Sequence, residues 1–532
     1  MTNRFSRRSF LRAVGGTATG LIAAPALVGC AGAPRRWPSG DPFTLGVAAG
    51  DPAPDGFVLW TRLAPDPLSP DPDTPGGMSG GYVQVGYEIA TDPGMRNIVR
   101  RSAALAEPAY AYSVHAEITG LEPGRPYWYR FTSGNAASPI GRAVTLPAPG
   151  SHPDRLRFAF VSCANYEHGY FAAYRHLAAE APDLVLFLGD YIYEYIDTRP
   201  GMVRRHSDGI DCVELWTYRN RYAQYRLDRD LQGMHAACTI AASWDDHEVQ
   251  NDYAGDKSPT FMPHDAFLRR RAAGYRAFYE HMPLRARSRP NGPDMRVYDR
   301  YAFGDLAEIS MLDGRQYRSP EPCYGPPNKG GGHLETNQSC PERLDAARSM
   351  IGAEQERWLF DGLANSRARW NVIAQDVLMA QFKQRRPPDP VSGFWTDGWD
   401  GYPAGRDRLL RHLNDRKVRN PVVLSGDIHS FFANDLLANF DDPRSPVIAT
   451  EFVGTSIASR GPPYDVFMQS IPDNPHMKFF DSRLRGYSMV DLVPGRMTVR
   501  FQALSDGTKA DATVSTLRTF TVEDGRAGVV AA

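Results

Sequence analysis

Two hydrophobic patterns divide this chain. Between residues 34 and 150, apolar and polar positions alternate with a period of two in short runs separated by Pro, Gly and Asp turns. The runs are FTLGVAAGD, GFVLWTRLA, YVQVGYEIA, SVHAEITGL and YWYRFTS. Such alternation is typical of short strands with one buried face. The pattern therefore predicts a small β-domain over residues 34–150.

From Leu156 onward the pattern changes to strand, loop, helix and strand. Apolar runs that each end in polar residues recur, and YFAAYRHLAAEAP has helical spacing between the first two of them. The runs are LRFAFVSC, DLVLFLGD, ACTIAASWDDHE, LAEISMLDGRQYR, WNVIAQDVLM and NPVVLSGDIHS. Buried strands with helices between them indicate an α/β sheet whose ligand site lies at the strand ends. We predict this second domain over residues 151–532.

Polar side chains collect at six of these predicted strand ends. They are Cys163; Asp190 and Tyr193; Asp245, Asp246 and His247; Asp313 and Arg315; Gln375; and Asp427 and His429. A single Asp at a strand end is an ordinary turn residue. Six such ends favour a shared ion cluster, because so many carboxylates would repel one another without cations.

Composition excludes some functions. The chain of 532 residues is 42% hydrophobic and 23% charged, with a formal net charge of -1. This balance gives no basic stripe for a nucleic acid. The stretch WTYRNRYAQYRLDRD interleaves aromatic residues with arginines, but helical spacing directs Trp216, Tyr222 and Tyr225 toward a core. We expect its arginines to be solvated.

The N-terminus predicts export. Residues 1–33 carry the pair Arg7 and Arg8, followed by a Gly/Ala-rich stretch without charge between Arg12 and Cys30. This is typical of a twin-arginine signal and too weakly apolar for a membrane anchor. We expect the twin-arginine export machinery as a partner and a periplasmic or extracellular location. The end LVGC resembles a lipoprotein box with Cys30 lipidated, and cleavage after residues 31–33 is the alternative.

The remaining cysteines suggest disulfides. In an oxidising compartment, Cys212 with Cys238 and Cys323 with Cys340 make two plausible bridges, although four cysteines allow three pairings. Cys163 is left over, directly after an apolar strand.

Several motifs together resemble a known family. GLEPGRPYWYRF resembles the turn before the sixth strand of a fibronectin-type sandwich, with Leu121 and the corner Tyr127 pinning the sheets. GVAAGDPAPDGFVLWTRL, SCAN, LGDYIYE, SWDDHEVQND, LDGRQYR and SGDIHS resemble the alkaline phosphatase D family of calcineurin-like metallophosphoesterases. The resemblance covers nearly the whole mature chain. It implies a four-layer αββα core preceded by a small β-sandwich.

The motifs depart from the ordinary superfamily pattern in a consistent direction. Cys163 stands where the first acidic motif would be, and Tyr193 replaces the last residue of Gly-Asp-x-x-Asp. Asp246 stands for an Asn, Gln375 for a lone His, and Asp427 for the first His of the final pair. Relative to the superfamily pattern, one half of the site thus gains a thiol and a phenol. In the other half, oxygen ligands stand where the superfamily has nitrogen ligands.

These exchanges indicate which metals the site binds. Cys163, Tyr193, Asp190 and His429 form an electron-rich set that favours Fe3+. Asp190, Asp246, Gln375 and Asp427 form an oxygen-rich set that suits Ca2+. The family resemblance implies the same ions, one Fe3+ with Ca2+. Two calcium ions fit the family and the surplus oxygens, with Asp245 or Asn251 serving the second.

The expected function is hydrolysis of small phosphate monoesters or diesters by attack of a metal-bound hydroxide or oxide. His247 matches the family histidine near the leaving oxygen, and orienting Asp246 is its alternative role. Arg315 either clamps the phosphate or pairs with Asp313. The Trp-rich loop 394–410 either shapes substrate choice or packs as a flap.

Two other functions compete with this one: a phospholipase-like diesterase, and a surface-anchored binding protein without catalysis. The intact ligand set argues against the second. The natural substrate and the oligomeric state stay open.

Overall fold

The computed structural model describes residues 37, 40–326, 330–386 and 389–532. The predicted export signal over residues 1–33 and Cys30 lie outside the described residues. Within the described part, no helix is both long and apolar enough to cross a bilayer.

The first part of the chain forms short strands joined by turns. They are β1 (Val47–Ala53), β2 (Gly56–Arg62), β3 (Val83–Ala90), β4 (Ile98–Ala106), β5 (Ser113–Ile118), β6 (Pro126–Ser133), β7 (Ala136–Ala137) and β8 (Gly141–Val144). The five alternating runs of the sequence correspond to β1, β2, β3, β5 and β6, and β4 and β8 were not predicted.

Strands and helices then alternate. The next elements are β9 (Leu156–Val161), α1 (Ala172–Glu180), β10 (Leu184–Leu188), α2 (Leu215–Arg226), α3 (Arg229–Ala237), β11 (Thr239–Ser243), α4 (His264–His281), β12 (Asp299–Phe303) and β13 (Ala307–Met311). After them come β14 (Leu334–Glu335), α5 (Gly352–Asn365), β15 (Trp370–Ala374), β16 (Gln384–Arg386), β17 (Asp389–Trp395), α6 (Pro403–Asp415) and β18 (Pro421–Ser425). The chain ends with β19 (Phe431–Leu437), β20 (Val447–Val453), α7 (Tyr464–Met468), β21 (Met477–Asp481), β22 (Gly486–Val493), β23 (Arg496–Leu504), β24 (Val514–Glu523) and β25 (Val530–Ala531).

Two large sheets form the core of the described chain. One has ten strands in the order β25-β24-β23-β22-β9-β10-β11-β1-β2-β5, and the other has seven in the order β12-β13-β15-β18-β20-β19-β21. β9, β10 and β11 run parallel, as do β13, β15, β18 and β20. Parallel strands end at the same edge, so the polar strand ends of each sheet lie together.

The two sheets pack face to face through buried side chains that include Phe158, Leu186, Ile309, Leu424 and Phe501. Helices α1 to α4 cover the outer face of the ten-stranded sheet, and α5 and α6 cover the outer face of the other. The parallel strands of each sheet are therefore buried on both faces, which explains their continuous apolar sequences. The predicted four-layer αββα core is confirmed.

The N-terminal sandwich shares strands with this core. β1, β2 and β5 extend the ten-stranded sheet, and β1 pairs with β11 in parallel. Their other face packs against the small sheet of β3, β4, β6, β7 and β8. The Tyr127 hydroxyl accepts a hydrogen bond from Glu122 N at 2.9 Å, as a tyrosine corner does. The domain limits 34–150 and 151–532 stay predictions.

One of the two plausible disulfides forms. Cys323 and Cys340 are bonded, whereas Cys212 and Cys238 are buried free thiols, so their predicted pairing is wrong. Cys238 ends α3 just before the amino end of β11. Cys212 N instead donates to Glu194 O, beyond the carboxyl end of β10. Because β10 and β11 are parallel, the two thiols lie toward opposite ends of the sheet.

The arginines of α2 are buried, which corrects the expectation that they are solvated. Arg219 binds Glu280 through two bonds of 2.7 Å, and Arg226 donates to His281 O and lies over the Trp60 ring. Arg221 donates to the carbonyls of Tyr193 and Ile210. These donors are occupied inside the fold and do not form a nucleic-acid surface.

Candidate metal centre

The site occupies the carboxyl edges of both sheets, where the backbone leaves β10 and β18 in sharp turns. Cys163, Asp190, Asp427 and His429 all have positive φ, at 61°, 54°, 62° and 53°. Non-glycine residues rarely adopt this conformation, and such strain gathers at functional sites. Gly189 has φ 103°, and a Cβ there would lie 2.3 Å from the Asp245 Cβ. The chain beyond β10 and the chain beyond β11 therefore approach each other closely at this glycine.

A first cluster joins four of the predicted ligands. Ligand atoms of Cys163, Asp190 and His429 lie within 4.8 Å of one another. The Tyr193 hydroxyl lies 2.8 Å from Asp190 Oδ2 and 3.0 Å from His429 Nε2. Thiol, carboxylate, imidazole and phenol thus meet at one point, as the sequence predicts.

Neighbouring groups orient this cluster. His429 Nδ1 lies 2.8 Å from the Arg460 carbonyl, which only accepts, so the proton belongs on Nδ1. The lone pair of Nε2 therefore faces Tyr193 and Asp190. Ser459 Oγ holds the Tyr193 hydroxyl at 2.7 Å. A ring nitrogen fixed from behind in this way is the usual arrangement of a metal-binding histidine.

Two further clusters continue from the first. One joins Asp190, Asp246 and His247, and the other joins Asp246, Asp252 and Asp397, each with ligand atoms within 4.8 Å. Asp190 and Asp246 are shared between neighbouring clusters. The groups thus form a continuous row of candidate sites with carboxylates between them.

The electrostatics of this row fit cations. Burial raises the pKa of Asp190, Asp245 and Asp427 well above the ordinary value, and the neighbouring carboxylate Asp246 raises each further. Asp245 Oδ2 and Asp246 Oδ1 are buried without a hydrogen-bond partner in the structure. Buried oxygens of this kind need a partner, and metal ions supply one to several carboxylates at once.

Arg315 lies beneath the carboxylates and binds them. Its Nε donates to Asp245 Oδ1, and its Nη1 and Nη2 reach Asp397 Oδ1 and Oδ2 at 2.7 and 2.9 Å. The guanidinium is fully buried. The clamp on phosphate stays a prediction, whereas the predicted ion pair with Asp313 does not form. Asp313 accepts from Arg315 only at the backbone N, and the other hydrogen bonds to its carboxylate come from Trp244 and Gln316. Arg315 holds two site segments together instead.

His247 is fixed by a carboxylate that the sequence did not single out. Its Nδ1 lies 2.6 Å from Glu194 Oε2, and its ring centroid lies 4.0 Å from that of Tyr193. Burial alone would lower the pKa of His247, but Asp190, Asp246 and Glu194 raise it well above the ordinary value.

The side chains of Gln375 and Asn251, two further predicted ligands, are not directed into the row of candidate metal sites. The Gln375 carboxamide oxygen accepts from Trp399 Nε1 at 3.1 Å and from Val377 N at 3.2 Å, and its nitrogen donates to Ser425 Oγ at 2.6 Å. Its polar atoms are therefore occupied by the protein. Asn251 has an exposed side chain, and its backbone N donates to Glu194.

Asp252 and Asp397 are site residues that sequence reasoning missed. Asp252 follows Asn251 in SWDDHEVQND, and Asp397 lies in the Trp-rich loop 394–410. Neither follows a buried strand of the two large sheets, so the strand-end rule did not select them. Proximity to motifs already chosen was the available signal.

A further residue missed by sequence reasoning fixes the backbone of the site. Buried Glu248 accepts hydrogen bonds from Asp190 N, Tyr191 N and Asp245 N at 3.2, 2.6 and 3.0 Å. One carboxylate thus joins the ends of β10 and β11. Burial raises the pKa of Glu248 to about 7.

A cleft of about 870 Å³ opens on this row. Asp252, Asp397, Asp427 and His429 are among the residues that line it. In the loop 394–410, Trp395 lines the cleft, and Trp399 is buried against Gln375. Its role in substrate choice stays a prediction.

Comparisons with known proteins find similarity to phosphatases. Residues 158–501 match the family described as PhoD-like phosphatase, and residues 29–147 match its N-terminal domain. The chain is 42% identical to alkaline phosphatase D of Bacillus subtilis (strain 168), over 99% of this chain and 89% of that protein. A solved structure titled "Structure of PhoD" has a TM-score of 0.86 at 42% identity, covering 93% of both chains. Purple acid phosphatase 15 of Arabidopsis thaliana is 29% identical over 26% of each chain.

Replacing Glu248 tests the backbone clamp. In Glu248→Gln an amide NH2 faces backbone donors, so we expect a loss of about 2 kcal/mol in the free energy of unfolding. Denaturant unfolding measures it. The exposed Glu523→Gln is the matched control and should change stability by less than about 0.5 kcal/mol. Equal stability of both variants would contradict the clamp.

Proposed function

The chain belongs to the PhoD-like phosphatases, and we propose that it hydrolyses phosphate monoesters, diesters or both at the row of carboxylates described above. The observation that carries this proposal is the convergence of Cys163, Asp190, Tyr193 and His429 at one point that borders the cleft. In the reaction, water adds its hydroxyl to phosphorus, the P–O bond to the alcohol breaks, and a proton ends on the alcohol oxygen.

The donor chemistry supports one Fe3+ and two Ca2+ as the resident ions. Cys163, Tyr193, Asp190 and His429 would hold the iron, because thiolate and phenolate are electron-rich donors. Carboxylates among Asp190, Asp246, Asp252, Asp397 and Asp427 would hold calcium, which prefers oxygen. When bound, the cations would offset charge on the phosphoryl oxygens and lower the pKa of water.

His247 is suited to hold the proton for the leaving oxygen. Glu194 occupies its Nδ1, so Nε2 is the nitrogen left for a substrate. The carboxylates around the ring favour its charged form. The alternative role, orienting Asp246, uses the same position in the second cluster.

Arg315 contributes to the site by positioning two of its segments. By binding Asp245 and Asp397 at once, it sets the separation between the end of β11 and the loop 394–410. It also offsets part of the negative charge of the row.

We further propose export of the folded protein by the twin-arginine route to the periplasm or cell exterior. Arg7 and Arg8 and the Gly/Ala-rich stretch after them support this. Lipidation of Cys30 would anchor the enzyme at a membrane, and cleavage after residues 31–33 would release it.

Hydrolysis is tested with protein purified without chelator. We expect release of phosphate from a monoester, or of alcohol from a diester, that is lost on chelation and restored by iron with calcium. Asp246→Asn should lower kcat by at least about 100-fold, the scale of losing one charge-stabilising group. The exposed Asp154→Asn is the control. Full activity of chelated protein would contradict the proposal.

The iron assignment is tested by spectroscopy. An Fe3+ bound by phenolate absorbs in the visible region, so Tyr193→Phe should abolish that band. Tyr191→Phe is the matched control, because the Tyr191 hydroxyl lies 2.8 Å from His235 in the core. An iron-loaded Tyr193→Phe protein with an unchanged band would show that Tyr193 is not a ligand.

A further inference from the structure

The cleft beside the candidate metal centre has a lining of two chemical kinds. Carboxylates and His429 contribute charged and polar groups. A second set of lining residues is apolar and is called the apolar wall here: Leu378, Trp395, Ile428, Pro462, Val466 and Phe467. A charged phosphoryl group is not stabilised by contact with an apolar surface, and leaving that surface in water is unfavourable. The wall therefore points to a part of the substrate beyond the phosphate.

Part of the wall is packed against the core. Phe467, on α7, packs against Phe382 and Phe480 with ring centroids 5.3 and 5.9 Å apart. Tyr464 of the same helix stacks on Phe480 at 5.6 Å. These contacts connect α7 to the cluster of buried side chains that also contains Leu378. A lining surface supported by the core loses less conformational freedom when it binds a ligand.

The wall is also tied to the reacting end of the cleft. Trp395 precedes Asp397 by two residues, and Asp397 is held by Arg315 through two hydrogen bonds. Ile428 lies between Asp427 and His429 in the chain. A group on the wall is thus adjacent to an ester at the carboxylates, at a distance set by two short segments.

The volume agrees with a substrate larger than phosphate. About 870 Å³ falls in the range of sites that enclose a medium-sized organic ligand. We propose that the wall binds the alcohol portion of the ester, and that this alcohol is an aliphatic or aromatic body rather than a small hydrophilic one. The inference rests on the proposed function, since it assigns the leaving group of that reaction.

Two arginines offer the competing assignment, an anionic alcohol. Arg199 lines the cleft, but its Nε and Nη2 already bind Asp197. Arg460 also lines the cleft, and its Nη2 donates to Gly201 O. Both side chains are exposed to solvent, where a charge contributes little. We therefore expect the apolar wall, and not the arginines, to determine which alcohol the cleft prefers.

A chain-length series tests the wall on the metal-loaded protein. Ethyl, butyl and hexyl phosphate have alcohols of similar acidity and differ only in apolar length. Each methylene that leaves water completely raises kcat/KM by about fourfold, so hexyl phosphate should exceed ethyl phosphate by at least about tenfold. Phosphate release measures all three. A flat or falling series with measurable turnover would overturn the wall alone. If the monoesters are not turned over, the matching methyl alkyl phosphate diesters give the same series, and no turnover of either set would overturn the proposed function.

Variants of the wall test whether it causes the dependence of kcat/KM on chain length. Trp395→Ala and Val466→Ala should each lower the hexyl-to-ethyl ratio by about threefold or more. Met468→Ala is the matched control, since Met468 lies on the same helix but is exposed and does not line the cleft; it should keep the ratio. Unchanged ratios in both wall variants would overturn the assignment. Faster turnover of 5-carboxypentyl phosphate than of hexyl phosphate would also overturn it, in favour of the arginines.

Discussion

Mutual repulsion of buried carboxylates is the constraint on which this structure depends. Asp190 and Asp246 each belong to two overlapping clusters, and burial raises the pKa of Asp190 well above its ordinary value. Arg315 offsets part of this charge from below, and Glu248 fixes the backbone that carries it. Oxygens that remain buried without a partner mark where the charge is still uncompensated. Cations would complete the arrangement. The strained turns persist because packing on both sheets holds them.

Strand-end chemistry made half of the site predictable from sequence. Cys163, Asp190, Tyr193 and His429 follow buried strands or lie within a few residues of one, and the parallel sheets bring them together. Asp397 was not predictable in this way, because it reaches the site from a long loop through tertiary contacts. Gln375 matched its motif position, yet its carboxamide is occupied by Trp399 and Ser425. Side-chain partners of this kind do not follow from spacing.

The layered fold was predictable because fully buried strands are continuously apolar, whereas features with mixed polarity were missed. β4 is an edge strand whose residues are mostly exposed, so it lacks the alternation that marks a strand. The arginines of α2 were expected in solvent, but Arg219 is paired with the buried Glu280. The even number of cysteines suggested that Cys212 and Cys238 form a disulfide, but both are free thiols. Sequence order did not show that they lie toward opposite ends of the sheet.

Anomalous diffraction at the iron absorption edge tests the central claim most directly. Crystals of protein purified without chelator should show one strong peak within bonding distance of Cys163 Sγ, Tyr193 Oη, Asp190 and His429 Nε2. Further density for lighter cations should lie along the row toward Asp397. An active protein whose crystals show no metal peak among these four side chains would contradict the account.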